Sequence, residues 1–154
     1  MKRVNVSGDF KKTGLTKKDL ASIVEVVFNV GLDSRLRGND GKGVENDKTI
    51  NIAFVGPDEI WAKNLKYRKK NAPTDILSFD YGDEGDIMIS LADIEKLKEK
   101  EESLAEATQK TIIHGVLHLL GYDHEKEKDR AIMEKAEEKA YTKLCHSREG
   151  GNLY

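Results

Sequence analysis

The sequence has one cysteine, no long apolar run and almost no net charge, and each shortage excludes a class of protein. The lone Cys145 excludes an intramolecular disulfide framework and a zinc cluster built from cysteines. The apolar runs are too short for a membrane span, and the N-terminal segment lacks the apolar block of a signal peptide, so we expect a cytoplasmic protein without membrane contact. The sequence has 26 Lys and Arg and 28 Asp and Glu, so its net charge is −2. Any contact with nucleic acid therefore requires a local basic patch.

The order of predicted elements indicates a single α+β domain. A chain of 154 residues with 38 % hydrophobic residues has the size and composition of one soluble domain. Alternating apolar residues predict four short strands, at residues 3–6, 49–55, 75–79 and 86–89. Helical periodicity and capping residues predict about five helices, beginning at Thr16, Pro57, Ser90, Ser103 and Glu125. The helices cluster late in the chain, so we expect a small mixed four-stranded sheet packed with these helices.

Two segments do not fit this periodic pattern. Residues 31–47 are rich in Gly, Asn, Asp and basic residues, and we expect them to form a flexible insert in a catalytic domain spanning residues 1–144. Residues 145–154 are expected to form a disordered tail. The insert's SRLRGNDGKG and the tail's HSREGGN both resemble translated pieces of a bacterial intergenic repeat, so neither segment is expected to carry chemistry.

Three of the four histidines lie within the eleven residues HGVLHLLGYDH. His114 and His118 are four residues apart, which places them about 40° apart around a helix and one turn along it. Gly121 can end the helix and reverse the chain, so that His124 returns to the same point. A histidine pair at this spacing often has no metal, but the third histidine after the glycine favours one. Three imidazoles with an open fourth position are typical of catalytic zinc, and we predict one Zn²⁺ on His114, His118 and His124.

The residue after the first histidine limits the chemistry. The spacing H-x-x-x-H-x-x-G-x-x-H matches the ligand pattern of metzincin peptidases, which carry a glutamate directly after the first histidine as general base. Here that position is Gly115, which has no side chain to accept a proton. The usual peptidase route is therefore disfavoured, although a zinc hydrolase acting on peptides or small molecules stays open as an alternative.

A basic segment supplies a hint of the substrate. Residues 60–74 contain no acidic residue and five basic ones, namely Lys63, Lys66, Arg68, Lys69 and Lys70. Such a patch suits phosphate, and we predict that Lys66, Arg68, Lys69 and Lys70 contact the phosphates of a substrate. Trp61 and Tyr67 can stack on bases or simply pack. The alternative is a solvated helix end without a ligand. A guanidinium near a metal can clamp a phosphodiester, which singles out Arg68.

The segments NLKYRKKNAPTDILSF, GDIMIS and HGVLHLLGYDH, in this order, resemble the YbeY family of bacterial endoribonucleases, which are rRNA maturation factors. The resemblance implies a zinc-dependent, single-strand-specific endoribonuclease that acts in ribosomal RNA maturation and ribosome quality control. It implies His114, His118 and His124 as metal ligands and places the family's functionally important arginine on Arg68. Arg68 and His114 are accordingly the predicted catalytic residues, and the resemblance implies that the phosphates contacted by Lys66, Arg68, Lys69 and Lys70 are those of RNA. The implied partners are ribosomal RNA and components of the small ribosomal subunit.

A third possibility is a ribosome-assembly factor without catalytic activity, in which zinc only stabilises the fold. Structural zinc sites usually have four protein ligands, so a fourth protein ligand would favour this possibility, whereas a bound water would favour a hydrolase. Asp123 can orient an imidazole or cap a turn, and both remain open. Asp75, Ser78 and Asp86 are weaker candidates for the lining of a cleft.

Overall fold

The computed structural model describes residues 3–32, 48–123 and 125–150, and these form one small α+β domain, as predicted. The strands are β1 (Arg3–Ser7), β2 (Thr49–Phe54), β3 (Ile76–Asp80) and β4 (Glu84–Ile89). The helices are α1 (Lys17–Gly31), α2 (Pro57–Arg68), α3 (Leu91–Leu97), α4 (Leu104–Leu119) and α5 (Glu127–Gly150). A short 3-10 helix at Lys11–Thr13 was not predicted from the sequence.

Helix starts follow the predicted capping residues. The Thr16 hydroxyl accepts a hydrogen bond from the backbone N–H of Asp19 at 3.1 Å, and the Asp19 carboxylate accepts one from the Thr16 N–H at 2.8 Å. Ser90 and Ser103 cap α3 and α4 in the same way, each through its hydroxyl and the N–H three residues later. These side chains satisfy N–H groups that the first helical turn leaves without a partner.

The sheet has the strand order β1-β2-β4-β3, with β3 antiparallel to β4 and the other neighbours parallel. Ile50, Ile52, Ile87 and Ile89 lie buried in one core with side chains from α1, α4 and α5. Helix α4 is central, because it contacts α1 and α5 as well as strands β3 and β4. The histidines of α4 are therefore carried by the most enclosed helix of the described fold.

The boundary of the predicted insert differs in the structure. Gly31 is the buried last residue of α1, whereas the sequence pattern had placed it in the insert. A methyl group on Gly31 would lie 2.5 Å from Leu120 Cδ1, so the absence of a side chain allows α1 to approach the end of α4. Leu32 then caps α1. Residues 33–47, the rest of the predicted insert, lie outside the described residues.

The last helix extends into the segment predicted to be a tail. Helix α5 continues past Leu144 to Gly150, so residues 145–150 are helical and not part of a disordered tail. No proline or glycine interrupts the helix before Gly150, and helix propensity permits it to continue. Residues 151–154 lie outside the described residues. None of the described helices, α5 included, is both long and apolar enough to cross a membrane.

A buried lysine joins the start of β2 to the turn between β3 and β4. Lys48 is 3 % exposed, and its Nζ donates to Asp80 Oδ1 at 2.6 Å and to the Gly82 carbonyl at 2.5 Å. Asp80 also accepts from the Gly82 N–H at 2.9 Å. Burial alone would raise the pKa of Asp80, but the Lys48 hydrogen bond, the Gly82 N–H and the Lys48 charge together hold that pKa below its usual value.

We expect Asp80→Asn to destabilise the fold, because it leaves the buried Lys48 ammonium without a carboxylate. Since the Asp80 side chain is 54 % exposed, the loss should be modest, about 1 kcal/mol at pH 7 by urea denaturation. Because the Asp80 pKa is lower in the folded state, Asp80 stabilises the protein at pH values above its unfolded-state pKa of about 3.9. This contribution disappears as the pH falls through the folded-state pKa. The difference from wild type should therefore persist at pH 5 and shrink below about pH 4.

The exposed neighbour Asp83 supplies the matched control, since Asp83→Asn removes the same charge from the same turn. Equal stability of Asp80→Asn and Asp83→Asn at pH 7 would contradict the role given to the Lys48 contact.

Candidate functional site

A cleft of about 680 Å³ opens between the end of α2, strand β3 and the C-terminal half of α4. The loop between α2 and β3 forms one wall. Its polar lining includes Arg68, Lys70, Asp75, Ser78, His114 and His118. The cleft thus brings the predicted metal ligands of α4 and the predicted phosphate-binding arginine of α2 to one place, although Arg68 and His114 are 46 positions apart in the sequence.

The two histidines of α4 face each other across one helical turn. Their Nε2 atoms are 3.1 Å apart, and their rings are inclined at 80° with centroids separated by 4.6 Å. Both side chains are half-buried. The i, i+4 spacing therefore places both imidazoles at one point of the cleft, as predicted.

The outer ring nitrogens determine which atoms remain for a ligand. His114 Nδ1 is 2.7 Å from Glu137 Oε2, and His118 Nδ1 is 3.0 Å from the Tyr122 carbonyl oxygen. A carboxylate and a carbonyl only accept, so each Nδ1 carries the proton and donates it. In a neutral imidazole the Nε2 then has a lone pair. When both rings are neutral, two lone pairs therefore face each other.

This donor set fits a metal ion. Two lone pairs at 3.1 Å repel each other unless a cation, either a metal ion or a shared proton, lies between them. Nitrogen ligands of one tetrahedral zinc at about 2.0–2.1 Å would be separated by about 3.3–3.4 Å. The spacing of the histidine pair is close to that value, so the residues present suit the metal that the sequence predicts.

The third predicted ligand, His124, lies outside the described residues. Within residues 3–32, 48–123 and 125–150, no group of three or more His, Cys, Asp or Glu side chains is placed to hold a metal. The preceding turn does follow the prediction, since Gly121 adopts a φ of +96° and its N–H donates to the His118 carbonyl at 3.0 Å. Ligation by His124 stays a prediction.

Gly115 is buried where α4 crosses β3. A methyl group on it would lie 2.6 Å from Ile76 Cδ1 and 3.2 Å from Ser78 Oγ. Strand β3 therefore fills the space that a larger side chain at this position would need. A glutamate directly after His114 would require the Ile76 side chain and Ser78 to move, which gives a structural reason for the departure from the peptidase pattern.

The predicted RNA contacts divide into two groups. Arg68 and Lys70 line the cleft, and Arg68 Nη2 donates to the Ser78 carbonyl at 3.0 Å. Lys66 and Lys69 are exposed at the C-terminal end of α2. The Lys66 Nζ lies 5.1 Å from the centre of the Tyr67 ring, and Lys69 ends the helix with a φ of +59°. The structure therefore places one of the three predicted lysines in the cleft wall.

Two polar residues hold the loop that carries Lys70. The buried Asn64 donates through Nδ2 to the Ala72 carbonyl at 2.9 Å, and Trp61 Nε1 donates to Asn71 Oδ1 at 2.8 Å. Sequence reasoning missed Asn64. Its signal was a polar residue four positions after Ile60, which places both on the same, buried face of the helix.

The weaker candidates from the sequence divide into residues that line the cleft and one that does not. Asp75, Ser78 and Asp123 line the cleft, whereas Asp86 accepts from Asn51 Nδ2 at 2.8 Å, outside the cleft lining. The Asp123 carboxylate accepts from the Glu125 N–H at 3.3 Å, which favours its turn-capping interpretation. Tyr67 packs edge-on against Phe79, with ring centroids 5.5 Å apart, while remaining 53 % exposed.

Glu137 is the second residue that sequence reasoning missed. It lies on α5 beside the buried stripe formed by Met133, Ala136, Ala140 and Leu144. A carboxylate at the border of an inward-facing stripe was a usable signal, because a half-buried carboxylate needs a partner. The partner it has is His114.

Comparisons with known proteins agree with this geometry. A family model described as Endoribonuclease YbeY matches residues 10–145. Endoribonuclease YbeY of Carboxydothermus hydrogenoformans is 40 % identical over 102 residues, covering 62 % of this chain and 71 % of that protein. The protein of the same name from Aquifex aeolicus is 42 % identical over 89 residues, covering 53 % of this chain and 59 % of its own.

A solved structure supports the fold. The solution structure of a Thermotoga maritima protein superimposes with a TM-score of 0.58 at 23 % identity, covering 94 % of this chain and 93 % of that one. At this identity the likeness concerns the fold alone. Since the family match spans most of the chain, including the basic segment and the two described histidines, the chain belongs to the endoribonuclease YbeY family.

Proposed function

We propose that this chain is a metal-dependent endoribonuclease that cleaves single-stranded RNA in ribosomal RNA maturation and ribosome quality control. The observation that carries the proposal is the shared cleft, in which a converging imidazole pair and a guanidinium lie together. Membership of the family agrees with it. Ribosomal RNA as substrate, contact with small-subunit components and a cytoplasmic location are parts of the same proposal.

We further propose that one zinc ion per chain binds to His114, His118 and His124. Three histidine ligands leave a fourth position for water or substrate, as in catalytic zinc sites. When bound, the ion would activate a water or polarise a phosphoryl oxygen. The chain's own contribution is to hold both Nδ1 atoms in hydrogen bonds, which fixes the orientation of each ring.

Arg68 is proposed to bind the scissile phosphate. Phosphodiester cleavage builds negative charge on the phosphate oxygens, and a fixed guanidinium offers parallel donors to that charge. The Ser78 carbonyl accepts from one terminal nitrogen of Arg68, which orients the planar group at the cleft wall. Lys70 adds positive charge to the same wall. Orientation of the fork is what a lysine in place of Arg68 would lose.

The two alternatives are less well supported. A zinc hydrolase of the usual peptidase kind needs a general base after His114, and Gly115 has no side chain to accept a proton. A structural zinc site needs a fourth protein ligand, and the described residues hold no larger cluster around the histidine pair. RNA cleavage that disappears in His114→Ala would separate the ribonuclease from a peptide hydrolase.

Zinc added to the metal-free protein should stabilise the fold through the histidines. At a free concentration about 100 times the dissociation constant, the free energy of unfolding should rise by about 2.7 kcal/mol. His114→Ala should lose most of this gain, as measured by denaturation with and without zinc. His146→Ala, which removes an exposed histidine near the end of α5, should keep it. An equal gain in both variants would place the metal elsewhere.

Substitution of Arg68 should slow cleavage without changing the fold. Removing an oriented donor to transition-state charge costs about 2.7–4 kcal/mol, so Arg68→Ala should reduce the rate about 10²–10³-fold on a short single-stranded RNA. Arg68→Lys should also be substantially slower, because the charge is kept and the fork is lost. Zinc content and thermal stability should match wild type. Arg130→Ala on α5 is the control. Cleavage by Arg68→Ala within a few-fold of wild type would remove Arg68 from the mechanism.

Lys69 can be tested without straining the backbone. Its φ of +59° suits glycine, so Lys69→Gly removes the charge and should preserve or raise stability, by up to about 1 kcal/mol. If Lys69 contacts a phosphate, RNA affinity falls and the slope of log K against log salt decreases by about 0.7. Lys70→Ala should behave alike, whereas Lys12→Ala in the 3-10 helix should not. An unchanged slope in both variants would make these lysines solvated charges only.

A further inference from the structure

We propose that Glu137 is a positioning residue, which holds His114 in the tautomer and orientation that its Nε2 needs to bind the metal. The inference rests on the proposed function for its purpose, but its geometry is independent of the reaction. The carboxylate contacts the imidazole at the nitrogen opposite to the one that faces His118. Glu137 therefore acts through His114 and not on the substrate.

The contact has the features of a specific hydrogen bond. Glu137 Oε2 is 2.7 Å from His114 Nδ1, a length typical of a charge-assisted bond. The two side chains are 30 % and 35 % exposed, so water competes for them only in part. An ionised carboxylate can only accept, and this restricts the proton of a neutral imidazole to Nδ1. Without the carboxylate, either nitrogen could carry the proton.

The two imidazoles are not held equally. His118 donates to the neutral carbonyl of Tyr122 at 3.0 Å, whereas His114 donates to a carboxylate at a shorter distance. A negative acceptor makes the distal nitrogen a stronger metal ligand than a neutral one does. The pair is thus asymmetric, and His114 is the ligand whose strength depends on another helix.

Helix α5 is what brings the carboxylate to the site. Glu137 lies 23 residues after His114, and the intervening turn reverses the chain so that α5 packs against α4. Buried Met133, Ala136 and Ala140 fix the helix on the core on either side of Glu137. The placement of the carboxylate is therefore set by core packing, which makes α5 a functional part of the site in addition to a structural one.

The test compares Glu137→Ala and Glu137→Gln with the control Glu138→Gln, which alters the exposed neighbour on the same helix. Two quantities are measured. Long-range ¹H–¹⁵N NMR of the metal-free protein reports which nitrogen of His114 carries the proton, and competition with a chromophoric chelator reports zinc affinity.

Wild type and Glu138→Gln should show protonated Nδ1 and equal zinc affinity. Glu137→Ala should show mixed tautomers and an affinity lower by about 10–100-fold, the range for loss of a carboxylate that supports a metal-binding histidine. Glu137→Gln keeps an acceptor but no charge, so it should retain the Nδ1 tautomer with a smaller loss of affinity.

The inference is overturned if Glu137→Ala binds zinc within two-fold of wild type, or if the wild-type tautomer has its proton on Nε2. If Glu137→Ala fails to fold, Glu137→Gln decides by the same affinity criterion. The NMR measurement needs neither zinc nor RNA. A chain that cleaves no RNA but shows these tautomers would refute the proposed function and leave the positioning role standing.

Discussion

Two imidazole nitrogens that face each other at 3.1 Å constrain the rest of the site. Two acceptors at that distance repel each other unless a cation lies between them. The fold therefore holds together two groups whose repulsion a metal ion would relieve. Both outer nitrogens are held by acceptors from other segments, the Tyr122 carbonyl and the Glu137 carboxylate. The arrangement is a property of the packed protein and not of the helical spacing alone.

Two glycines of the α4 region, Gly115 and Gly121, allow the fold to form this arrangement. Gly115 lets β3 come against α4, which brings the Ser78 carbonyl, and with it Arg68, to the cleft that holds His114. Gly121 reverses the chain at the end of α4 through a positive φ, which places the Tyr122 carbonyl on His118. A side chain at either glycine would disturb the distance between groups that come from different elements. Catalytic geometry and core packing are therefore linked at this helix.

The sequence predicted what depends on local periodicity and on single residues. The capping residues Thr16, Ser90 and Ser103 and the glycine turn at Gly121 were all found where the pattern placed them. The convergence of His114 and His118 followed from their spacing, because four residues are about one helical turn.

What the sequence did not predict depends on tertiary contacts. The sequence pattern does not distinguish Glu137 and Asn64 from ordinary helix residues, because their side-chain partners come from other elements. Gly31 read as the start of a loop because its packing against Leu120 is not a local property. The strand order and the division of the basic residues between cleft and open surface were undetermined for the same reason, since periodicity says nothing about which elements become neighbours.

The histidine pair should be half of an open metal site. Anomalous X-ray diffraction from crystals grown with zinc measures this directly. We expect one anomalous peak per chain, within about 2.0–2.1 Å of the Nε2 atoms of His114 and His118, with His124 as third ligand and a water in the fourth position. A zinc peak away from this pair, or a fourth protein ligand that closes the site, would show that the pair is not an open metal site.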